Sequence, residues 1–346
     1  MIKAGIIGAS GYAAGELIRY LIGHPGAEIT YLASGSLAGK HIGATYPNLL
    51  GHDLPVCEGY SKDAFDRADI FFLAQHNGQA MGIAGKLLDV GRKVIDIGAD
   101  FRFRDASVYE KWYKLDHTAP ELARTAVYGL PELKRDAIRG ASLVANPGCY
   151  CTSAILALAP IVAAGFVDLK SIIVDSKSGV SGAGRYKFEL GYMFAEIDES
   201  LRAYGIANHR HTPEIEQELG ELAGEQVCIS FTPHLVPMIR GILSTSYAKL
   251  TRELSTAKLL DLYRAKYGGS PFVVVLDEGQ FPTTKSVCGS NYCHIGLKVD
   301  DRTGRVVVVS AIDNMGKGAA GQAVQNMNLM FGLAETTGLD RPAIYP

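Results

Sequence analysis

Short apolar runs alternate with amphipathic segments over the first hundred residues of this 346-residue chain. The runs occupy residues 3–9, 27–34, 68–75 and 93–100. After the first run, Leu17, Ile18, Leu21 and Ile22 recur at helical spacing, and a similar helical pattern covers residues 79–91. Alternation of short apolar strands with helices is typical of βαβ units, so this part predicts a parallel, doubly wound sheet.

The pattern changes after about Leu143. One more strand runs into a turn there, and a strongly apolar helix follows it. Later apolar runs alternate more regularly, at residues 170–179, 226–237, 241–250, 271–278, 292–300 and 305–313. Regular alternation predicts a mostly antiparallel sheet with one covered face. Helical patterns also cover residues 253–268 and 317–333.

The expected fold class is therefore α/β. It combines an N-terminal Rossmann-type dinucleotide-binding domain with an α+β domain that carries the mostly antiparallel sheet. We expect the first domain at residues 1–148, with residues 315–346 returning to it, and the second at residues 149–314. The chain length agrees with about two domains.

Composition narrows the function classes. The formal net charge of −2 gives no electrostatic reason to expect nucleic acid or an anionic membrane as a partner. No apolar stretch reaches the ~20 residues of a membrane span, and we expect a cytoplasmic protein with free thiols. A single residue separates Cys149 from Cys151, which is too few for a usual zinc half-site, so no metal is predicted.

A glycine turn follows the first strand. Gly8, Gly11 and Ala14 have G-x-x-G-x-x-A spacing between a strand and a helix. This arrangement lets the backbone approach a pyrophosphate and directs the amides of a helix start at it. The turn predicts dinucleotide binding; a glycine turn that serves packing alone is the alternative.

The end of the second apolar run distinguishes the cofactor. NAD-binding folds usually place Asp or Glu there for the ribose hydroxyls. This chain instead has Ser34, Ser36 and Lys40, which suit a 2′-phosphate, so NADP is favoured over NAD. The alternative is that these three residues only form a turn.

Cys149 follows Asn-Pro-Gly and begins the strongly apolar helix. A thiol at a helix N-terminus has a lowered pKa, and the amides there can hold an oxyanion. A thiolate near a nicotinamide suggests an acyl-thioester that accepts hydride. Cys151 faces the apolar run and is expected to pack. Burial of both thiols for packing alone remains the alternative.

Such chemistry needs an acid/base and a cation for an acyl phosphate or carboxylate. His209 and His211 lie together before a helix signalled by Thr212, Pro213 and Glu214, and are the acid/base candidates. Arg102, after the strand that ends near Asp100, and Arg240 are the candidate cations. A polar surface loop and surface ion pairs are the alternative roles for these residues.

Several segments, in this order along nearly the whole chain, resemble the N-acetyl-gamma-glutamyl-phosphate reductase family of the arginine pathway. They are GASGYAAGELIRYL, DIGADFRFRD, YGLPEL, NPGCYCTSAILAL, DSKSGVSGAGR, HRHTPEI, FTPHLVPMIRGIL and DNMGKGAAGQAVQNMNLM. The chain is similar, more distantly, to aspartate-semialdehyde dehydrogenases.

The resemblance implies NADPH-dependent reduction of an acyl phosphate through Cys149, with one histidine of the pair as acid/base, and a catalytic domain that also dimerises. His211 is favoured as the acid/base, with His209 positioning substrate or sulfur, and the sequence does not separate the two roles. It implies substrate orientation by Tyr204 and Arg240, and a homo-oligomer, dimer or tetramer. It also implies a set of cofactor contacts: Gly8, Ser10, Gly11, Tyr12 and Ala13 for the pyrophosphate, Ser34, Ser36 and Lys40 for the 2′-phosphate, and Gly179, Ser181, Gly182, Asn314, Lys317 and Gly318 for the nicotinamide.

Other functions stay open at this point. The reductase of lysine synthesis that acts on N-acetyl-aminoadipyl phosphate differs by one methylene in its substrate, a difference worth only about 1–3 kcal/mol. A redox-sensing regulator that binds NADP without turnover belongs to another class, and it would not need Cys149, His211 and an arginine together. A thiol hydrolase would leave the glycine turn unexplained.

Overall fold

The computed structural model describes residues 1–345, and the chain divides into two compact units. Unit 1 comprises Met1–Pro147, Gly184–Tyr186 and Ala319–Arg341. Unit 2 comprises Gly148–Ala183, Lys187–Gly318 and the residues from Pro342 onward. Over the described residues, no helix combines the length and apolar character of a membrane span.

Unit 1 contains a six-stranded sheet. Its strands are β1 (Ile2–Ile7), β2 (Ala27–Ala33), β3 (Ile70–Leu73), β4 (Lys93–Asp96), β5 (Val127–Tyr128) and β6 (Leu143–Ala145). They are ordered β2-β1-β3-β4-β6-β5, and every neighbouring pair is parallel. All four residues of β3 are buried, because a parallel sheet is covered on both faces. The predicted parallel sheet is confirmed.

Helices pack against this sheet. They are α1 (Tyr12–Ile22), α2 (Met81–Asp89), α3 (Ala106–Tyr113), α4 (Pro120–Thr125) and α5 (Pro131–Gly140). The aromatic residues Tyr31, Phe71, Phe101 and Tyr109, all fully buried, form part of the unit 1 core.

Unit 2 is built on a seven-stranded sheet. Its strands are β7 (Ile173–Ser178), β8 (Arg202–Ala203), β9 (Ser230–Leu235), β10 (Ile242–Lys249), β11 (Val273–Val275), β12 (Cys293–Asp300) and β13 (Arg305–Ile312). The order is β11-β12-β13-β10-β7-β9-β8. The pairs β11–β12 and β7–β9 are parallel and the other neighbouring pairs are antiparallel. The sheet is thus mixed, and its two parallel pairs were not expected in the predicted mostly antiparallel sheet. The alternation of apolar and polar residues along a strand indicates that one face of the sheet is covered, but it does not indicate the direction of the neighbouring strands.

The helices of unit 2 are α6 (Cys149–Ala163), α7 (Phe194–Ile197), α8 (Thr212–Ala223) and α9 (Thr256–Tyr267). Of these, α6 is buried along nearly its whole length and contains Pro160. Proline has no amide to donate to the carbonyl four residues earlier. The Tyr267 hydroxyl donates to that Leu156 carbonyl at 2.6 Å, which fixes α9 against α6.

Hydroxyl groups join α6 to the sheet. Ser153 of α6 lies 2.9 Å from Ser244 of β10 and 2.8 Å from Ser310 of β13, measured between hydroxyl oxygens. All three residues are fully buried. Because buried hydroxyls are costly without partners, this cluster fixes the register of α6 over the strands.

The helical pattern over residues 317–333 forms two elements rather than one. Gly316–Ala320 is a π-helical turn, and α10 (Gly321–Met330) follows it. The Gly318 amide donates to the Asp313 carbonyl, five residues earlier, which is the π-helical hydrogen bond. Within unit 1, α10 packs against α1 and α5, and Asn328 hydrogen-bonds His24.

Candidate active site

Cys149 is the first residue of α6, and Gly148 is its N-cap. The thiol is half-buried. The first amides of a helix have no acceptor within the helix, and their partial positive charge favours a thiolate over a thiol. The start of α6 thus has the chemical features that the predicted nucleophile and an oxyanion require.

A buried carboxylate holds the turn before Cys149. The Gly148 amide donates to Glu214 Oε1 at 2.7 Å, and Glu214 is fully buried in the first turn of α8. From the sequence, Glu214 was predicted only as part of a helix start, and its contact with Gly148 was not predicted. Thr-Pro-Glu at a helix start is the one available signal, and it does not distinguish a buried carboxylate from an exposed one.

Gly318 lies directly against Cys149. A side chain at Gly318 would place its Cβ 2.8 Å from Cys149 Cβ, closer than real Cβ contacts come. Glycine is therefore required for the π-helical turn to pass Cys149, and the structure brings together these two predicted site residues.

The tautomer of His209, one of the two candidate histidines, follows from its hydrogen bond. His209 Nδ1 accepts the His211 amide at 3.1 Å, so a neutral His209 carries its proton on Nε2. Burial, with the Arg210 charge adding, lowers the pKa of His209 to about 4. His209 is therefore neutral at pH 7 and offers an N–H. The neighbouring His211 ring lies 4.8 Å from it, centroid to centroid.

Two tyrosines complete this cluster. The Tyr150 and Tyr204 hydroxyl oxygens lie 2.9 Å apart. The Tyr150 ring makes edge contacts with His209 and His211, at centroid distances of 5.6 and 5.8 Å. Burial is the main cause that raises the pKa of both tyrosines, and a charge on Cys149 raises it further. Tyr204 was predicted, whereas Tyr150 was missed because its position beside Cys149 looks like packing.

Cys151 is fully buried, and its Sγ contacts the His211 carbonyl at 3.7 Å. Its sulfur lies with ligand atoms of His211 and Glu214 in one group, all within 4.8 Å of one another. Glu214 already accepts the Gly148 amide in this group. The two cysteines thus occupy different surroundings, with Cys149 at the helix start and Cys151 in the packed interior.

The loop after β7 and the loop after β13 meet in unit 2. Asn314 accepts the Gly241 amide at 2.7 Å and donates to the Ser181 hydroxyl at 2.9 Å. Gly179 passes the backbone of Ile239 so closely that a Cβ would lie 2.7 Å from its carbonyl. The predicted residues Gly179, Ser181, Gly182 and Asn314 are therefore adjacent.

Two cations belong to the same region of unit 2. Arg240 Nε lies 3.1 Å from a carboxylate oxygen of Asp313, which is fully buried. The other Asp313 oxygen accepts the Met315 and Gly316 amides. Lys317 is fully buried, with Nζ 5.8 Å from the Phe272 ring centroid. Asp313 thus links Arg240 to the segment that carries Lys317.

The glycine turn of unit 1 has the geometry that a pyrophosphate needs. Gly8 has a φ of +95°, and a Cβ there would lie 2.4 Å from the Ala74 carbonyl oxygen. Gly11 is the N-cap of α1, so the α1 amides face the turn, which includes Ser10, Tyr12 and Ala13. A close backbone passage at a helix start fits a dinucleotide.

The end of β2 fits a phosphorylated ribose. Ser34 is buried, and its hydroxyl oxygen lies 3.3 Å from that of Ser36. Lys40 is exposed, and its amide donates to the Leu37 carbonyl. NAD-binding folds place a carboxylate at this position, whereas this chain has two hydroxyls there, which is compatible with NADP. Ser34 and Ser36 would hold its 2′-phosphate.

Arg102 lies in unit 1 with its guanidinium on backbone carbonyls. Nε donates to Asn146 at 2.8 Å and Nη2 to Ile97 at 3.1 Å. Nearby, burial and the Asp100 charge raise the pKa of Asp96 to about 7, whereas the Arg102 charge acts in the opposite direction. Arg102 therefore braces the segment that leads into Gly148, and its contact with substrate stays a prediction.

Two family models match the chain. The semialdehyde dehydrogenase NAD binding domain matches residues 3–141, and the semialdehyde dehydrogenase dimerisation domain matches residues 149–314.

Among solved structures, aspartate semialdehyde dehydrogenase II of Vibrio cholerae is similar, with a TM-score of 0.73 at 18% identity over 96% of this chain and 98% of that one. Aspartate semialdehyde dehydrogenase with NADP from Candida albicans has a TM-score of 0.67 at 17% identity, over 96% of this chain and 99% of that one. These structures show the shared fold.

Curated relatives are much more similar in sequence. The N-acetyl-gamma-glutamyl-phosphate reductase of Moorella thermoacetica is 55% identical over 100% of both chains. That of Pelotomaculum thermopropionicum is 55% identical over 100% of this chain and 99% of its own. The resemblance inferred from the sequence motifs is confirmed, and the chain belongs to the N-acetyl-gamma-glutamyl-phosphate reductase family of semialdehyde dehydrogenases.

Proposed function

We propose that the chain reduces N-acetyl-gamma-glutamyl phosphate to N-acetylglutamate 5-semialdehyde with NADPH, and that it releases phosphate in arginine biosynthesis. The observation that carries this proposal is the position of Cys149 at the start of α6, with Gly148 held by Glu214, in a chain 55% identical to such reductases.

The first step forms a bond between Cys149 Sγ and the γ-acyl carbon. The thiolate attacks this carbon, the C–O bond to phosphate breaks, and phosphate leaves with the electron pair. The amides at the start of α6 stabilise the oxyanion that forms on the carbonyl oxygen. The product of this step is a thioester on Cys149.

The second step reduces that thioester. Bound NADPH supplies a hydride to the thioester carbon. His211 donates a proton to the resulting oxygen and takes it back as the C–S bond breaks, which releases the aldehyde and restores the thiolate. His209, neutral with its proton on Nε2, donates a hydrogen bond to substrate or sulfur and takes no proton.

In this proposal, the residues that orient the substrate are Tyr204, Arg240 and Arg102. Tyr204 is supported by its hydroxyl contact with Tyr150 and by its ring contact with His209, at a centroid distance of 5.6 Å. Arg240 is supported by its ion pair with the buried Asp313, which fixes the guanidinium next to the Asn314 loop. Arg102 is supported by the hydrogen bond that it donates to the Asn146 carbonyl.

The proposed cofactor-binding residues form three groups, one for each part of NADP. Gly8, Ser10, Gly11, Tyr12 and Ala13 would hold the pyrophosphate, Ser34, Ser36 and Lys40 the 2′-phosphate, and Gly179, Ser181, Gly182, Asn314, Lys317 and Gly318 the nicotinamide. The dinucleotide-binding domain, expected at residues 1–148 and 315–346, would correspond to unit 1, and the catalytic domain, expected at residues 149–314, to unit 2. Gly184–Tyr186 lie in unit 1, and residues 315–318 and those from Pro342 onward lie in unit 2.

The name of the second family model, a dimerisation domain, supports a homodimer or a tetramer built from it. Six free cysteines support a reducing compartment, which we take to be the cytoplasm.

A steady-state assay in the oxidative direction tests the function. Phosphate and NADP⁺ or NAD⁺ are supplied with N-acetylglutamate 5-semialdehyde, its one-carbon-longer homologue, or aspartate semialdehyde. We expect the highest kcat/KM with N-acetylglutamate 5-semialdehyde and NADP⁺, and no turnover without phosphate. A higher kcat/KM for the longer homologue would assign the chain to lysine synthesis, and no turnover with any substrate would indicate a non-catalytic NADP-binding regulator.

A further inference from the structure

The segment Gly184–Tyr186 belongs to unit 1, although the residues on either side of it belong to unit 2. Within unit 1, the Arg185 guanidinium carbon lies 5.9 Å from the Tyr46 ring centroid and 5.3 Å from that of Tyr186. Its Nη1 donates to the Tyr186 hydroxyl at 3.0 Å. Arg185 is thus placed by two aromatic rings and one hydrogen bond.

Tyr46 is itself fixed against the glycine turn. Its hydroxyl donates to the Ser10 carbonyl at 2.9 Å, and burial raises its pKa, so it remains a donor. Its ring occupies the space where a side chain on Gly15 of α1 would lie, with a Cβ there 2.8 Å from Tyr46 Cζ. The contact with the Tyr46 ring therefore positions the Arg185 guanidinium beside the start of α1.

Tyr186 contacts one hydroxyl of the glycine turn and one hydroxyl near the end of β2. Its hydroxyl shares hydrogen bonds with the side chains of Ser10 and Ser36, and these bonds lower its pKa. Ser10 belongs to the glycine turn, and Ser36 follows β2 and lies against Ser34. A guanidinium and several hydroxyls therefore converge where β2 ends.

The charge on Arg185 is not balanced locally. Among the described residues, no carboxylate forms an ion pair with it. A guanidinium binds a phosphate through two parallel hydrogen bonds, which an ammonium group cannot match. Sequence analysis assigned this task to Lys40, whose side chain is exposed.

We propose that Arg185 is the cation that binds the 2′-phosphate of NADP, with the Tyr186 and Ser36 hydroxyls as further ligands. The proposal rests on the NADP dependence proposed above and deepens it. Arg185 is then the residue through which the chain distinguishes NADP from NAD, with Lys40 contributing at longer range.

Calorimetric titration of the full chain with NADP⁺ and NAD⁺ at fixed salt tests this without turnover. The variants are Arg185→Gln, Tyr186→Phe, Lys40→Gln and, as a matched control, Arg139→Gln, an exposed arginine of α5 paired with Asp136. Arg185 is half-exposed, so its replacement should leave the fold intact.

We expect Arg185→Gln to weaken NADP⁺ binding about 10- to 100-fold, as the loss of a hydrogen bond to a charged group does. Arg185→Gln should change NAD⁺ binding by less than about threefold. Tyr186→Phe and Lys40→Gln should weaken NADP⁺ binding less than Arg185→Gln does. Arg139→Gln should leave the binding of both nucleotides unchanged. An unchanged NADP⁺ affinity, or equal losses for NADP⁺ and NAD⁺, would overturn the inference. Failure of the unsubstituted chain to bind NADP⁺ would instead overturn the proposed function.

Discussion

The Glu214 carboxylate accepts a hydrogen bond from the backbone amide of Gly148 at 2.7 Å, one residue before Cys149. A fully buried side chain of α8 thereby fixes the turn that begins α6. The position of Cys149 depends on the packing of two helix N-termini as well as on its own Asn-Pro-Gly sequence.

Replacement of Glu214 tests this link. Glu214→Ala leaves the buried Gly148 amide without an acceptor, which costs about 1–3 kcal/mol of unfolding free energy. We expect kcat to fall as well, because the turn can then move. Glu214→Gln retains an acceptor oxygen and should recover most of the stability, as measured by urea unfolding. Equal stability of Glu214→Ala and the unsubstituted chain would show that the hydrogen bond has no structural importance.

The lowered pKa of His209 predicts a dependence of stability on pH. His209 has a pKa of about 4 in the folded chain and about 6.5 when unfolded, so the unfolded state binds more protons between these values. Its contribution is complete above pH 6.5 and is lost as the pH falls from about 6.5 to about 4, by roughly 2–3 kcal/mol.

Urea unfolding between pH 7 and pH 4 measures this loss. His209→Asn retains an acceptor near the position of Nδ1 but cannot be protonated, so its unfolding free energy should fall less over the same range. If both proteins lose stability in parallel, other groups cause the dependence.

Gly318→Ala is expected to disturb the nucleophile. The added Cβ would lie 2.8 Å from Cys149 Cβ, and forcing atoms apart in a packed site costs typically about 1–3 kcal/mol. We expect lower kcat together with lower stability. Gly82→Ala is the matched control, since open space surrounds that position in α2 and alanine favours a helix. Full activity of Gly318→Ala would contradict the close approach.

Local patterns predicted a large part of this structure. The parallel pairing of β1, β3 and β4 and the helix start at Cys149 follow from periodicity and from one Pro-Gly turn. The direction of β7 against β9 could not be predicted, because the pairing of distant strands depends on connections that alternation does not describe.

The missed features of the site are those that depend on tertiary burial. Glu214 looks like an ordinary acidic residue in a first helical turn, and its burial arises only when α8 packs on α6. Arg185 was not singled out, because its contact with Tyr46 joins residues 139 positions apart in the sequence.

In the proposed mechanism, Cys149 is the one residue that becomes acylated. The most direct test of this mechanism is mass spectrometry of the chain mixed with N-acetyl-gamma-glutamyl phosphate without nucleotide, with released phosphate measured in parallel. We expect one N-acetylglutamyl group on the peptide that contains Cys149 and one equivalent of phosphate. Cys149→Ser should give neither, whereas Cys151→Ser should still be acylated. Phosphate release without a thioester, or a thioester on Cys151, would contradict the mechanism.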